Sequence, residues 1–169
     1  MSNVKQAVLN QIGERKGLKG DEKGRLDAAL RRVAFVESKG DATAVQESGG
    51  PGRGKFQHEL GASTEALSQR LKNYEKVYGE VPLSDVDRKA LEEGDMSKVS
   101  EDAQDALTLV GWVMKTPGDE VGELARGNYK MGQFWLDYHW AGAEEDRQAK
   151  KEQWVREMQD YQRIHGGVR

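Results

Sequence analysis

Residues 40–61, GDATAVQESGGPGRGKFQHELG, carry Gly40, Gly49, Gly50, Gly52, Gly54 and Gly61. Glycine at that density weakens helix and strand alike, because each adds backbone freedom that folding must remove. The segment therefore reads as an irregular insert, within which short extended pieces around residues 44–47 and 55–57 can pair as a small β-hairpin. On both sides of it apolar residues recur at three- and four-residue spacing, which predicts helices. The chain reads as mainly α, a single domain with one glycine-rich interruption.

The helix before the insert places a carboxylate on its core stripe. At about 100° per residue, Leu26, Leu30 and Val33 align, and Glu37 falls within about 20° of Leu26. This helix is expected to start at Asp21, with Asp21 and Glu22 in its first turn, and to stop before Gly40. A carboxyl on an apolar stripe is partly desolvated, and at a helix C-terminus it meets the negative end of the dipole. Both effects raise its pKa and keep it protonated, the state a general acid needs. The competing reading swings Glu37 into solvent or pairs it with Arg31 or Lys39. The glycines that follow leave backbone groups accessible to a polar ligand.

Elsewhere, Val4, Ala7, Val8 and Ile12 predict a short helix ending near Gly13, and residues 13–24, GERKGLKGDEKG, read as a basic connector. After the insert, Ser63 or Thr64 is expected to cap a helix carrying Leu67, Leu71, Tyr74 and Tyr78. Ser84 caps another that Gly94 ends. Ser100 opens a third with Ala103, Ala106, Leu107, Val110 and Met114, stopped by Pro117-Gly118. A helix from about 128 to 140 carries Met131, Trp135 and Tyr138, and a last one carries Trp154, Met158 and Tyr161.

Composition narrows the function. With 169 residues the chain can bury a core without cross-links, and it has no cysteine for a disulfide or thiolate chemistry. A net charge of −3 argues against a sequence-independent nucleic-acid binder, which needs a concentrated basic face. No apolar run reaches the roughly 18 residues of a membrane span, and the N-terminus does not read as a signal peptide, so no membrane insertion is expected. His58, His139 and His165 lack metal-ligand spacing, and no cofactor is expected.

FVESKGD at 35–41, followed by GPGRGKFQ at 50–57, resembles the lysozyme-like superfamily of goose-type lysozymes and soluble lytic transglycosylases. There a helix ends in Glu-Ser, and a glycine-containing turn leads to a Gly-hydrophobic-hydrophobic-Gln segment. Here Glu37-Ser38 and Gly54-Lys55-Phe56-Gln57 match, with Lys55 at a position that is usually apolar. KFQHELG at 55–61, LTLVGWVMKTPGD at 107–119 and FWLDYHWAG at 134–142 are similar to segments of the small phage proteins of that superfamily. The resemblance spans roughly residues 26–142. It implies a lysozyme-like domain with a helix and linker over 1–20, a catalytic core over 21–142 and a C-terminal helix over 143–169.

It also implies cleavage of the β-1,4 bond between N-acetylmuramic acid and N-acetylglucosamine in peptidoglycan, with Glu37 as general acid and base and no cofactor. A transglycosylase lets the muramyl 6-hydroxyl attack. A muramidase needs a water held by a second carboxylate, for which Asp41, Glu47 and Glu59 are the candidates, Glu59 first. Each reads equally as a solvated loop charge. Ser38 and Gln57 match positions beside the acid, where they hold an N-acetyl group or Glu37, although Gln57 can instead satisfy loop backbone. Tyr138 resembles the tyrosine of the Tyr-Asn-Ala-Gly segment, with one extra residue in the spacing, or else packs in the core. Trp135 and Trp140 either stack on sugar faces or belong to the core. Peptidoglycan strands are the implied partner, with other virion proteins beside them. The implied location is a phage virion, or the host cytoplasm before release.

Overall fold

The computed structural model of the protein describes residues 3–140 and 142–166, the side chains of Glu47 and Ala62 excepted. The first helix, α1 (Val4–Lys16), starts where the Asn3 side chain accepts a hydrogen bond from Gln6 N at 2.7 Å. It runs through Gly13, where it was expected to end. A Cβ at Gly13 would lie 2.7 Å from Lys23 Cδ, so this glycine permits a close approach to the next helix. Gly17, at φ +67°, makes the stop. Helix α2 (Gly20–Ser38) begins three residues later, with Lys19 N donating to Glu22 Oε1 at 2.8 Å. Residues 13–24 are thus mostly helical, a correction to their reading as a connector.

Leu26, Ala29, Leu30 and Val33 are buried along α2, as their stripe requires. The insert follows. Its hairpin pairs β1 (Gly52–Arg53) with β2 (His58–Glu59), antiparallel, and one further bridge joins Val45 to Arg53. The expected piece near residue 45 therefore contributes a single bridge, and residues 55–57 form the turn between the strands.

Helix α3 (Ala62–Tyr78) opens before Ser63 and Thr64. Thr64 does not cap it; its hydroxyl donates to Glu59 O at 2.8 Å and ties the helix to β2. Ser84 does cap α4 (Asp85–Glu92), accepting from Asp87 N at 3.0 Å. Ser100 precedes α5 (Glu101–Lys115) but spends its hydroxyl on Asp87 Oδ2 at 2.6 Å, locking the starts of α4 and α5 together. Ala103, Ala106, Leu107, Leu109 and Val110 of α5 are all fully buried. A helix buried on most sides belongs in the middle, and α5 lies against both α1 and α3.

A short α6 (Glu120–Arg126), absent from the sequence reading, packs on α2. The helix expected over 128–140 is instead α7 (Met131–Phe134) running into a π-helical turn, Trp135–Trp140. The last helix, α8 (Arg147–His165), packs along α2 and against α7. Among the described residues no helix is long and apolar enough to cross a membrane.

Candidate functional site

Helix α2 ends in two steps that fix its last side chains. Lys39, at φ +58°, turns the chain, and the N–H groups of Lys39 and Gly40 return to Phe35 O and Ala34 O at 2.9 and 3.1 Å. Ser38 Oγ donates to Lys55 O at 2.8 Å and so pins the insert to the helix end. Glu37 is left pointing into a cleft of about 870 Å³, its side chain 18% exposed. The insert, the end of α5, the π turn and α8 complete the walls.

The insert keeps its shape through Gln104 of α5, which is buried. Its Oε1 accepts from Lys55 N at 2.8 Å, and its Nε2 donates to Ala42 O at 2.9 Å. Gly54 lies over this amide at φ +80°, where a Cβ would stand 2.4 Å from Gln104 Oε1, so no larger residue fits. Gln57, itself at φ +52°, donates from Nε2 to Gly54 O at 2.9 Å. It lines the cleft, but its amide serves the turn. Lys55 faces away from the cleft, pairing with Asp105 at 2.9 Å and Glu101 at 3.1 Å. Those α5 carboxylates account for a lysine where an apolar residue was expected.

The π turn supplies the groups around Glu37. Trp135 Nε1 donates to Glu37 Oε1 at 2.8 Å, and its ring is buried against Trp154. Four residues on, His139 Nδ1 accepts from Trp112 Nε1 at 3.0 Å. An indole N–H only donates, so Nδ1 must present a lone pair, and the proton sits on Nε2. That N–H meets Phe56 O at 3.0 Å and lies 4.0 Å from Glu37 Oε1. Protonating Nδ1 would set two donors face to face. Burial and the nearby Lys115 charge push in the same direction, holding His139 well below the usual histidine range.

His58 is fixed in a similar way. The Thr108 hydroxyl donates to Gln104 O at 2.9 Å, so His58 Nε2–H donates to Thr108 Oγ1 at 3.0 Å. Burial, with Lys115 adding to it, lowers its pKa to about 4. Both imidazoles facing Glu37's cleft are neutral at pH 7.

Glu37 thus meets two neutral imidazoles. Its burial raises the carboxyl's pKa, opposed by the Trp135 hydrogen bond and the charge of Lys150. Trp135 must bond an unprotonated oxygen, which assigns the acidic proton to Oε2. That oxygen has no hydrogen-bond partner among the described residues and is not sealed from solvent. A proton held by this carboxyl is therefore presented to the cleft on one defined atom.

Other sequence candidates divide. Trp135 is buried and holds Glu37; it offers no face to a sugar. Tyr138 packs against Phe134 and Tyr129, outside the cleft lining, which corrects its placement beside the acid. Trp140 does line the cleft, and it lies close on Gly142, where a Cβ would come within 2.3 Å of its ring. Asp41 also lies outside the lining. It is exposed and accepts from Thr43 N and Oγ1 at 2.9 and 2.8 Å, bonds that lower its pKa and mark it as a turn residue. Glu59 lines the cleft, exposed, at the end of β2. The Glu47 side chain lies outside the described residues.

Sequence reasoning missed His58, His139, Lys115 and Lys150. The histidines were tested only for metal spacing, and among the described residues no group of His, Asp or Glu is placed to hold a metal ion. Lys150, with Gln153 and Glu157, comes from α8, so the cleft extends beyond the segment 21–142. No family model, curated protein sequence or solved structure matches the chain.

Proposed function

We propose that this is a glycoside-cleaving enzyme acting on peptidoglycan, with Glu37 as its general acid and base. The observation that carries the reading is the Glu37 carboxyl itself. It is shielded at a helix end, held through Oε1 by Trp135, and turns Oε2, the oxygen left to carry a proton, to a cleft of about 870 Å³. The lysozyme-like resemblance of residues 35–41 and 50–57 supplies the substrate class, and that of 55–61, 107–119 and 134–142 points to a phage protein carried in the virion or used at lysis.

In the step so read, Glu37 gives the Oε2 proton to the bridging oxygen between N-acetylmuramic acid and N-acetylglucosamine, and the bond from that oxygen to the muramyl C1 breaks. The carboxylate then takes the proton of the muramyl 6-hydroxyl as its oxygen closes on C1. Glu37 regains its proton, no water is consumed, and a 1,6-anhydro end results. The Trp135 N–H steadies the anion between the two halves. Trp140, on the cleft wall, is placed to pack on a sugar ring. One acid is enough for this route, which favours transglycosylation. Hydrolysis would instead rest on Glu59.

The test compares wild type with Glu37→Gln on purified peptidoglycan, followed by dye release and mass analysis of the products. Wild type is expected to release anhydro-ended fragments, one water lighter than hydrolytic ones. The variant is expected to lose about 10²–10⁴-fold in rate. Equal rates for the two proteins, or no release by either, would refute catalysis by Glu37 and leave a wall-binding or structural protein.

A further inference from the structure

The charges lining the cleft do not balance in place. Lys39 is paired with Glu157. His58 and His139 are neutral, and Glu37 Oε1 accepts from Trp135. Lys115, at the end of α5, has no ion pair among the described residues; the groups acting on it are Arg70 and the protein around it. Lys150, on α8, bonds the neutral Gln153 Oε1 at 3.2 Å and acts on Glu37 by its charge, without an ion pair among the described residues. Two lysines on two different walls thus have no carboxylate within ion-pair reach, and Glu37 and Glu59 are the carboxyl groups left without an ion pair to a lysine or arginine among the described lining residues.

Resting on the glycosidase reading above, we infer that Lys115 and Lys150 receive carboxylates carried on the glycan, so that the cleft selects muramyl-bearing strands over neutral N-acetylglucosamine polymers. Two carboxylates on such strands share this chemistry: the lactyl group of muramic acid where the peptide has been removed, and the acidic groups of the stem peptide where it has not. A lysine on a flexible stem is a point charge that adapts to either. Although Lys115 exposes much of its surface, the crowding of its ammonium and the charge of Arg70 push its pKa down to about 8. An incoming anion would relieve both effects. A neutral strand offers nothing to these two cations and leaves them to be desolvated without a partner.

Binding separates this inference from turnover. The Glu37→Gln protein is titrated with fluorescent glycan strands of three kinds: peptide-bearing, amidase-stripped, and stripped strands whose lactyl carboxylates have been coupled to methylamine. Adding Lys115→Met and Lys150→Met is expected to raise Kd about tenfold on carboxylate-bearing strands and less than about twofold on the neutralised ones. Lys115→Arg, which keeps the charge, is expected to bind as its parent. A loss confined to peptide-bearing strands assigns the stem-peptide carboxylate; a loss on stripped strands assigns the lactyl group. Equal losses on charged and neutralised strands, or none on any, overturn the inference while the glycosidase reading stands. Failure of the Glu37→Gln protein to bind any strand overturns both.

Discussion

Replacing His58 by glutamine is expected to make the fold less sensitive to acid, by an amount that follows from the site. In the unfolded chain a histidine titrates near 6.5; in the folded protein burial and Lys115 hold His58 at about 4. As pH falls, the unfolded state therefore takes up this proton first. The stability that His58 contributes is intact above 6.5, is lost progressively below it, and is gone below about 4. Between pH 7.5 and 5 the loss from this one group is about 2 kcal/mol. His139, also held low by burial, acts in the same direction. Glutamine can still donate to Thr108 Oγ1, so the variant keeps the hydrogen bond and discards the titration. Urea unfolding at the two pH values gives the stability change for each protein. Carboxylates with shifted pKa values, Glu37 and Asp105 among them, are common to both proteins and cancel in the comparison. The wild type is expected to lose about 2 kcal/mol more than His58→Gln over this interval. Equal losses would mean that His58 is not kept neutral, and the account of the imidazoles around Glu37 as uncharged would fail with it.

Two further substitutions probe the acid and its support. Trp135→Phe removes the N–H that favours ionised Glu37, so the carboxyl's pKa rises further. Because a general acid works while protonated, the high-pH limb of the rate profile on peptidoglycan is expected to move upward, with turnover down about tenfold from lost positioning. A limb that stays or moves downward refutes this role for the indole. Gly54→Ala adds a Cβ at φ +80°, in contact with Gln104 Oε1, and is expected to destabilise the protein by about 2–4 kcal/mol in thermal or urea unfolding. A cost below about 0.5 kcal/mol would show that the insert does not depend on that close contact.

What could be read in advance was what local spacing controls. The stripe Leu26–Leu30–Val33 and the buried face of α5 follow from helical period, and Ser84 caps as its chemistry suggests. The same stripe brought Glu37 to the cleft rather than to open solvent. The misreadings arise where tertiary contact decides. Gly13 looked like a stop, yet serves the approach of Lys23 from the neighbouring helix. Thr64 and Ser100 carry capping side chains but are drawn to Glu59 O and Asp87. Trp135 and His139, four residues apart, serve the cleft, while Tyr138, four residues after Phe134, joins Phe134 and Tyr129. The spacing pairs them, but which pair faces the cleft depends on how α7 docks. The two neutral histidines were equally hidden, because their protonation is set by Trp112 and Thr108, distant in sequence.

The order in which the walls of the cleft arise along the chain bears on its own synthesis. A ribosome that has passed residue 140 has already made the acid, its indole partner and the loop opposite. It has not yet made α8, whose Lys150, Gln153 and Glu157 form the remaining side. Until that helix emerges and docks along α2, the carboxyl of residue 37 faces bulk water on that side and lacks part of the desolvation that raises its pKa. The sheltered state of that carboxyl is therefore reached only when α8 lies beside a helix made long before it.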